Sequence, residues 1–485
     1  MKRLLLILLT LQLASLFSAN AQGFHFDDAP DTNPAYALPR INLIVDISKV
    51  QKDELTKAFI EVKEFSTAFG EKTERYNCSI KYRGASSISY EKKSFAVKIE
   101  DERGDKMDVN LLGLRFENNW ILDAMAIDRM RMRNRVCFDI WNEISNTPYD
   151  TEFGNRNGTV GRFVEVFING DYHGLYCLTD KIDRKLLGLK KYKEEKNGSY
   201  TVRGILYKGT GWGESSDLLG YDSNAPVDNV TWNAFELSYP DDISSIDTWK
   251  PLMNLIDFCS AETSDRYFIQ NYEKWFYTDN LIDYVAFTFL LNVGDNAYKN
   301  TYLSVPDITK VHQYLITPWD MNMSLGGNWD GDYVESHAWL ERYNWTAPFN
   351  RLYKKNINGF ADKVKERITE LATTSLTEEQ MSERLDAYVS LFTKSGAWAR
   401  EYAKWNGNPV PLEKNLRIEK GYVLKLYMSN LAFLLDYTSI SKPEITGISK
   451  SDDIFTLDGR KVLKNGNGSL PRGLFIKGGK KIFVR

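Results

Sequence analysis

Asp295, Asn300 and Asp320 are the side chains whose types and spacing suggest a reaction. The first two stand in the stretch Asp295-Asn-Ala-Tyr-Lys-Asn300, and the third closes Pro318-Trp319-Asp320. Phosphoryl transfer needs one carboxylate to orient or deprotonate the attacking hydroxyl. It also needs a second carboxylate with an amide oxygen to hold Mg²⁺ on the nucleotide phosphates. Asp295 fits the first role, and Asp320 with Asn300 fits the second. Mg²⁺ takes hard oxygen ligands and shares its shell with phosphate and water, so few protein groups suffice. Taken alone, the spacing also fits a turn Asp followed by an Asn cap.

The elements around these residues would bring them together. Residues 280–294 read as an apolar helix, residues 301–305 and 313–317 as strands, and Pro306-Asp307 as the turn between them. A hairpin here returns the chain, so that Asp320 arrives beside Asp295. Upstream, residues 39–47, 76–83 and 94–99 alternate as strands do. Between the last two lies Arg83-Gly84-Ala-Ser-Ser87, with Lys92, Lys93 and Lys98 close behind. Small residues let backbone N–H groups approach an anion and lysine supplies charge, which suits a phosphate-facing edge. A tight hairpin with solvated lysines fits the same residues.

A helix is expected from the apolar positions Val136, Ile140 and Trp141, with Asp128 as its N-cap. Arg133 and Asn134 at its start could reach a phosphate or a catalytic carboxylate. Residues 163–178 form a hairpin around Asn169-Gly170, and residues 205–209 a short strand carrying Lys208. Residues 209–231 read as a loop, and residues 248–293 and 358–437 as mostly helical. Between the helical stretches, residues 328–350 hold Trp329, Trp339, Tyr343 and Trp345. That segment suits a substrate-facing loop, a glycan- or peptide-binding surface, or packing onto the helices.

Residues 1–21 have a Lys2-Arg3 start, a Leu-rich run to Phe17 and an Ala19-x-Ala21 exit, the pattern of a secretory signal peptide. That run is too short to span a bilayer and no second long apolar segment follows, so an exported protein without a transmembrane span is expected. A net charge of −3 argues against nucleic-acid binding. The four histidines and four cysteines show no metal-type spacing, so zinc is not expected. An even cysteine count in an exported chain permits a disulfide, yet each cysteine sits among apolar neighbours as a buried thiol would. After Pro443 the chain turns to short strands with Gly turns.

Several motifs in order carry a resemblance: Arg83-Gly-x-Ser-Ser, Lys92-Lys93-Ser94, Trp120 with Asp128 and Arg133-Asn134, Gly174-x-Tyr176, Tyr207-Lys208, Asp295 to Asn300, and Pro318-Trp319-Asp320 to Gly326. Together they resemble the CotH family, secreted kinase-like proteins related to spore coat protein H, over roughly residues 39–440. The resemblance implies an α+β, atypical protein-kinase-like two-lobed fold, mainly β in its N-terminal part and helical in its C-terminal part. It implies transfer of the γ-phosphate of ATP to Ser or Thr of a protein substrate with Mg²⁺ or Mn²⁺. Asp295 would be the catalytic residue, Asp320 and Asn300 the metal ligands, and Lys93, Arg83 and Lys208 the nucleotide-phosphate contacts, with Arg133 nearby. Thr179-Asp180 stands where relatives carry Glu, and Asn322 where they often carry an acid. Residues 443–485 resemble the β-rich tail of exported Bacteroidetes proteins. The expected organisation is a signal peptide at 1–21, a kinase-like domain at 22–442 and a small β module at 443–485. A non-catalytic surface or adhesion protein on the same scaffold, and transfer of a nucleotidyl unit, are the alternatives.

Overall fold

The computed structural model describes residues 23–439 except 67–69, 229, 244–245, 298 and 335–345, together with strands at 454–456, 473–477 and 480–484. The expected signal peptide lies outside the described residues, as do Trp339, Tyr343 and Trp345. The protein is α+β, rich in sheet in its N-terminal part and in helix in its C-terminal part.

Period-two alternation builds the first layer. Strands β1 (Arg40–Ile44), β2 (Thr56–Ser66), β3 (Gly70–Arg83), β4 (Ser94–Glu100), β5 (Asn119–Asp123), β6 (Gly161–Ile168) and β7 (Asp171–Thr179) close into a barrel. Their order is β1-β2-β3-β4-β5-β7-β6. The barrel closes by a parallel pairing of β1 with β6; the other neighbours are antiparallel. Successive side chains point to opposite faces. Ile80, Val97, Leu122, Tyr176 and Leu178 therefore fill the interior. Their neighbours in sequence face outward, with Arg83 opposite Ser94, and Lys81 opposite Ala96, which itself stands opposite Ile121. That outer wall becomes one side of the cleft described below.

A second antiparallel sheet faces it, in the order β9-β10-β8-β11-β12. Its strands are β8 (Ile205–Gly209), β9 (Thr231–Trp232), β10 (Phe235–Tyr239), β11 (Thr301–Val305) and β12 (Leu315–Pro318). The hairpin expected between residues 301 and 317 is present as β11 and β12, with Thr301 opposite Pro318. Helices α1 (Arg133–Ile144), α2 (Ile246–Cys259), α3 (Asp265–Trp275) and α4 (Thr278–Leu290) follow the expected pattern. So do α5 (Phe360–Thr373), α6 (Glu378–Lys394), α7 (Ala397–Trp405) and α8 (Leu416–Ser439). Helix α4 is buried from Asn280 to Ile282 and from Tyr284 to Leu290, as expected for a helix apolar on every side. Among the described residues no helix is long and apolar enough to cross a membrane.

One expectation needs correction. Asp128 is not the N-cap residue of α1; Met132 holds that position. Asp128 instead reaches forward from four residues upstream, and its Oδ2 accepts the N–H groups of Met132 and Arg133 at 2.7 Å each. This satisfies donors that the helix start would otherwise leave open. The four cysteines, all described, form no disulfide; each is a free, buried thiol. The segment Tyr437–Arg485 is a separate compact unit. Within it β13 (Ile454–Thr456), β14 (Gly473–Lys477) and β15 (Lys480–Val484) pair as a small antiparallel sheet.

Helix α7 is tied to the barrel by charge. Glu401 Oε1 accepts from Lys92 Nζ at 2.6 Å and from Arg131 Nε at 2.8 Å, all three side chains being shut off from solvent. Its Oε2 accepts the Leu175 N–H at 2.8 Å. Burial works against the Glu401 charge, but Lys92 and Arg131 outweigh it and hold the carboxyl below its ordinary range. Next to it, Arg400 pairs with Glu165 at 2.7 Å. Strand β7 approaches this closely because residue 174 is glycine at φ 152°; a Cβ there would stand 2.8 Å from Trp405 Nε1 and 3.0 Å from Glu401 Oε2.

Removing one member of a buried ion pair typically costs about 3–5 kcal/mol. Glu401→Gln should lower stability by about that amount in urea unfolding; a loss under about 1 kcal/mol would contradict the role given to the pair. A second test is pH. His173 packs against Phe95, Tyr176 and Trp405. Burial, then Lys404 and Lys92, push its imidazole down from 6.5 to about 3. The unfolded chain therefore binds a proton below about 6.5 that the folded chain accepts only near 3, so stability falls as pH drops through that window. His173→Phe should flatten this limb in melting temperatures measured from pH 7 to 4.

Candidate active site

The chain leaving α4 and the chain leaving β12 are stitched together by backbone and amide hydrogen bonds. Leu325 N donates to Leu291 O at 2.7 Å and Gly294 N to Met323 O at 2.8 Å. The buried amide of Asn296 donates to both Asn300 O and Trp319 O at 2.8 Å. The backbone carbonyl of Asn296 accepts from Tyr284 Oη of α4 at 2.6 Å. Trp319 N completes the join by donating to Asn300 O at 2.8 Å. Asn300 and Asp320 both take positive φ, 58° and 53°, a region open to Asn and Asp more than to most residues.

These restraints bring Asp295, Asn300 and Asp320 onto one cleft. Asn300 Nδ2 donates to Asp295 Oδ2 at 3.2 Å, and Lys299 Nζ stands 3.2 Å from the same oxygen. Burial, then the charges of Asp123 and Asp295, push the Asp320 carboxyl above its ordinary range, with Lys208 and Arg83 opposing. Asp123 was not a sequence candidate. It ends β5 and is held by Met125 N and Asn134 Nδ2, each at 3.1 Å. Asn134 thus does reach a carboxylate, that of Asp123, while its Oδ1 accepts Met321 N at 3.1 Å. The only hint in the sequence is the odd placement of an Asp directly after the apolar run Trp120-Ile-Leu. Asn296, the other residue missed, hides inside the Asp295–Asn300 stretch.

Among the described residues no group of three His, Cys, Asp or Glu side chains stands close enough to hold a metal by itself. The donors around Asp320 nevertheless suit a hard cation that shares its shell with phosphate. Asn322 Nδ2 donates to Asp320 Oδ1 at 2.7 Å, leaving Asn322 Oδ1 buried without a hydrogen-bond partner. An amide oxygen of this kind beside a carboxylate fits Mg²⁺ or Mn²⁺.

The cleft has a volume of about 2120 Å³ and runs between the outer wall of β3, β4 and β5 and the second sheet. Arg83, Lys98, Lys181 and Lys208 line it, and none forms an ion pair among the described residues. Arg83 lies over the Trp319 ring, 5.6 Å from its centroid. Burial holds the Lys208 ammonium below the usual lysine range, with Arg83 adding to the effect against Glu236 and Asp320. Elsewhere a buried cation such as Arg115 is neutralised, meeting Asp180 at 3.0 Å and Asp183 at 2.6 Å. Cations that share one cleft without forming ion pairs favour an anion there. The turn after Arg83 depends on Gly84, at φ 129°, where a Cβ would stand 2.2 Å from Ser87 Oγ.

Not every expected residue reaches this cleft. Lys93 Nζ donates to Ile88 O and Tyr90 O at 2.8 and 2.6 Å, bracing the turn instead of facing the cleft. Arg133 is buried and pairs with Asp128, with the Tyr333 ring 5.0 Å from its guanidinium. Lys92 is spent on Glu401. The acid of Thr179-Asp180 pairs with Arg115 and Arg156 and accepts Val160 N at 2.8 Å, a structural duty.

Residues 80–416 match the family model described as CotH kinase protein, a span of more than half of the chain that includes Arg83, Lys208, Asp295, Asn300 and Asp320. No curated protein matches the chain.

A charge-assisted hydrogen bond contributes roughly 1.5–3 kcal/mol. Arg83→Ala and Lys208→Ala should each weaken binding of inorganic triphosphate by about tenfold or more in calorimetry, and less so as salt rises. Lys93→Ala should leave that affinity unchanged, because its ammonium is turned away.

Proposed function

We propose that this chain, which belongs to the CotH kinase protein family, transfers the γ-phosphoryl group of ATP to a Ser or Thr hydroxyl of a protein. The observation that carries the reading is the convergence of Asp295, Asn300 and Asp320 on a cleft whose wall presents Arg83 and Lys208, neither in an ion pair among the described residues. In this reading the barrel and second sheet form one lobe of a kinase-like architecture and the helices the other.

The acceptor hydroxyl oxygen attacks the γ-phosphorus, forming a new O–P bond. The bond from that phosphorus to the β–γ bridging oxygen breaks, and ADP leaves. The hydroxyl proton passes to the Asp295 carboxylate, whose Oδ2 is fixed by Asn300 and Lys299 at 3.2 Å each. Arg83 and Lys208 orient the phosphates and offset their charge, which is most of what this chemistry asks of a protein. A divalent cation, when bound, would sit on the oxygens of Asp320, Asn300 and Asn322 and neutralise charge on the phosphates.

Export follows from the pattern of residues 1–21 and belongs to the same proposal, so the acceptor is a protein outside the cytoplasm. A purely adhesive role leaves Arg83, Lys98, Lys181 and Lys208 facing one another without purpose. Nucleotidyl transfer would use the same contacts and differs in the mass added to the product.

The test is intact-mass spectrometry of residues 22–485 with ATP and Mg²⁺ or Mn²⁺, beside Asp295→Ala and Asp320→Ala. The wild type should gain phosphate, not a nucleotidyl mass. Loss of a general base costs about 10²–10⁴ in rate, so Asp295→Ala should lose at least about 100-fold while still binding metal–ATP. Asp320→Ala should lose metal-dependent ATP binding as well. A wild type with neither turnover nor metal-dependent ATP binding would refute the reading.

A further inference from the structure

Lys299 stands where the two halves of the proposed reaction meet. Its Nζ is 3.2 Å from Asp295 Oδ2, the oxygen that Asn300 Nδ2 also reaches at 3.2 Å. The backbone brings Lys299 to the phosphate-facing strand as well. Asn300 N donates to Gly209 O at 3.0 Å, which sets Lys299 beside the end of β8, where Lys208 stands opposite Tyr302 of β11. The two ammonium groups feel each other: burial first, then Arg83 and Lys299, hold Lys208 below the usual lysine range.

An ammonium in this place is at odds with the duty given to Asp295. Pairing stabilises the charged form of a carboxylate, so Lys299 held on Asp295 works against the proton transfer asked of it. The distances offer a resolution. A base lies within about 2.6–3.2 Å of the hydroxyl it deprotonates. That hydroxyl in turn comes within about 3–3.5 Å of the phosphorus it attacks. An ammonium 3.2 Å from the base is therefore within a side-chain rotation of the γ-phosphoryl oxygens, on a flexible four-carbon stem. Its present hold is weak, because the Lys299 side chain is 28% exposed and ion pairs open to solvent contribute little. The γ-phosphoryl group carries more negative charge than one carboxylate and attracts the ammonium more strongly.

We propose that Lys299 is a further catalytic residue, whose ammonium passes from Asp295 to the γ-phosphoryl oxygens when the nucleotide binds, so that the base is released only with the donor in place. This rests on the phosphotransfer reading. Asn300 keeps its hold on the Asp295 carboxylate throughout. Lys299 donates hydrogen bonds to the phosphoryl group without giving up a proton, and the acceptor proton still passes to Asp295. The contact is with the γ group and not the α- or β-phosphate, because the hydroxyl seated at Asp295 attacks the γ-phosphorus and Lys299 shares that carboxylate with it.

The experiment uses the full mature chain beside Lys299→Met and Lys299→Arg. Calorimetry compares Mn²⁺–ADP with the Mn²⁺ complex of the non-transferable β,γ-imido analogue of ATP. Transfer from ATP is read separately by intact mass, and melting temperature checks that each variant folds. The wild type should prefer the triphosphate analogue to the diphosphate. Lys299→Met keeps the length of the arm and removes its charge, so it should lower affinity for the analogue about tenfold or more and leave Mn²⁺–ADP affinity unchanged. Transfer should slow by about 100-fold or more, the usual loss when one donor to a developing charge is removed. Lys299→Arg should recover most of the preference. A Lys299→Met chain that transfers slowly yet keeps the full preference for the analogue would show that Lys299 only positions Asp295, which overturns the proposal. Equal loss of affinity for both nucleotides overturns it too. A preference that depends on Lys299 in a wild type that transfers no phosphate leaves the contact standing and removes the phosphotransfer reading. A wild type that transfers phosphate, with Lys299→Met as active and as selective, does the reverse.

Discussion

Glu401, buried between Lys92 and Arg131, is the interaction on which the geometry of the cleft depends. A carboxylate far from water holds its charge only if cations are fixed beside it, and here two arrive from different parts of the chain. Lys92 comes from the segment before β4 and Arg131 from the loop before α1. Arg131 also gathers the carbonyls of Met125, Ala126 and Asp128 at 3.0, 2.6 and 2.8 Å, fixing that loop as a unit. From the loop the restraint passes to α1, whose Asn134 touches Asp123 and the backbone of Met321, the residue after Asp320. Helix α7 thereby helps to set where the Asp320 carboxylate stands.

The cleft itself is a contrast between compensated and uncompensated charge. Arg115, Arg133, Arg135 and Arg400 all meet carboxylates. Among the described residues Arg83, Lys98, Lys181 and Lys208 form no ion pair, and they share the cleft with Asp123, Glu236, Asp295 and Asp320. Clustered carboxylates resist ionisation together, and clustered ammonium groups do the same with opposite sign. The metal–nucleotide complex of the proposed reaction would relieve both at once, since it would bring positive charge to the acids and negative charge to the bases.

The sequence determined a good part of this by itself. Alternation in residues 76–83 and 94–99 and the Asn169-Gly170 turn specified barrel strands, because a period of two permits little else where one face is buried. The hairpin between Asn300 and Asp320 was legible for the same reason, and with it the approach of Asp320 to Asp295. The apolar surroundings of the four cysteines pointed to buried thiols, and a disulfide was open only by count. Tertiary structure decided the rest. Lys92, Lys93 and Lys98 are near neighbours in sequence, yet the first is buried on Glu401, the second braces a turn and the third faces the cleft. Side-chain direction along a bending chain, and a partner more than 300 residues away, separate them. Arg133 looked available and is consumed by Asp128. Asp123 and Asn296 looked unremarkable, and their roles come from strands and loops that meet only in the fold. Residue type fixes what a group can do; burial and the charge of distant partners fix whether it remains free to do it.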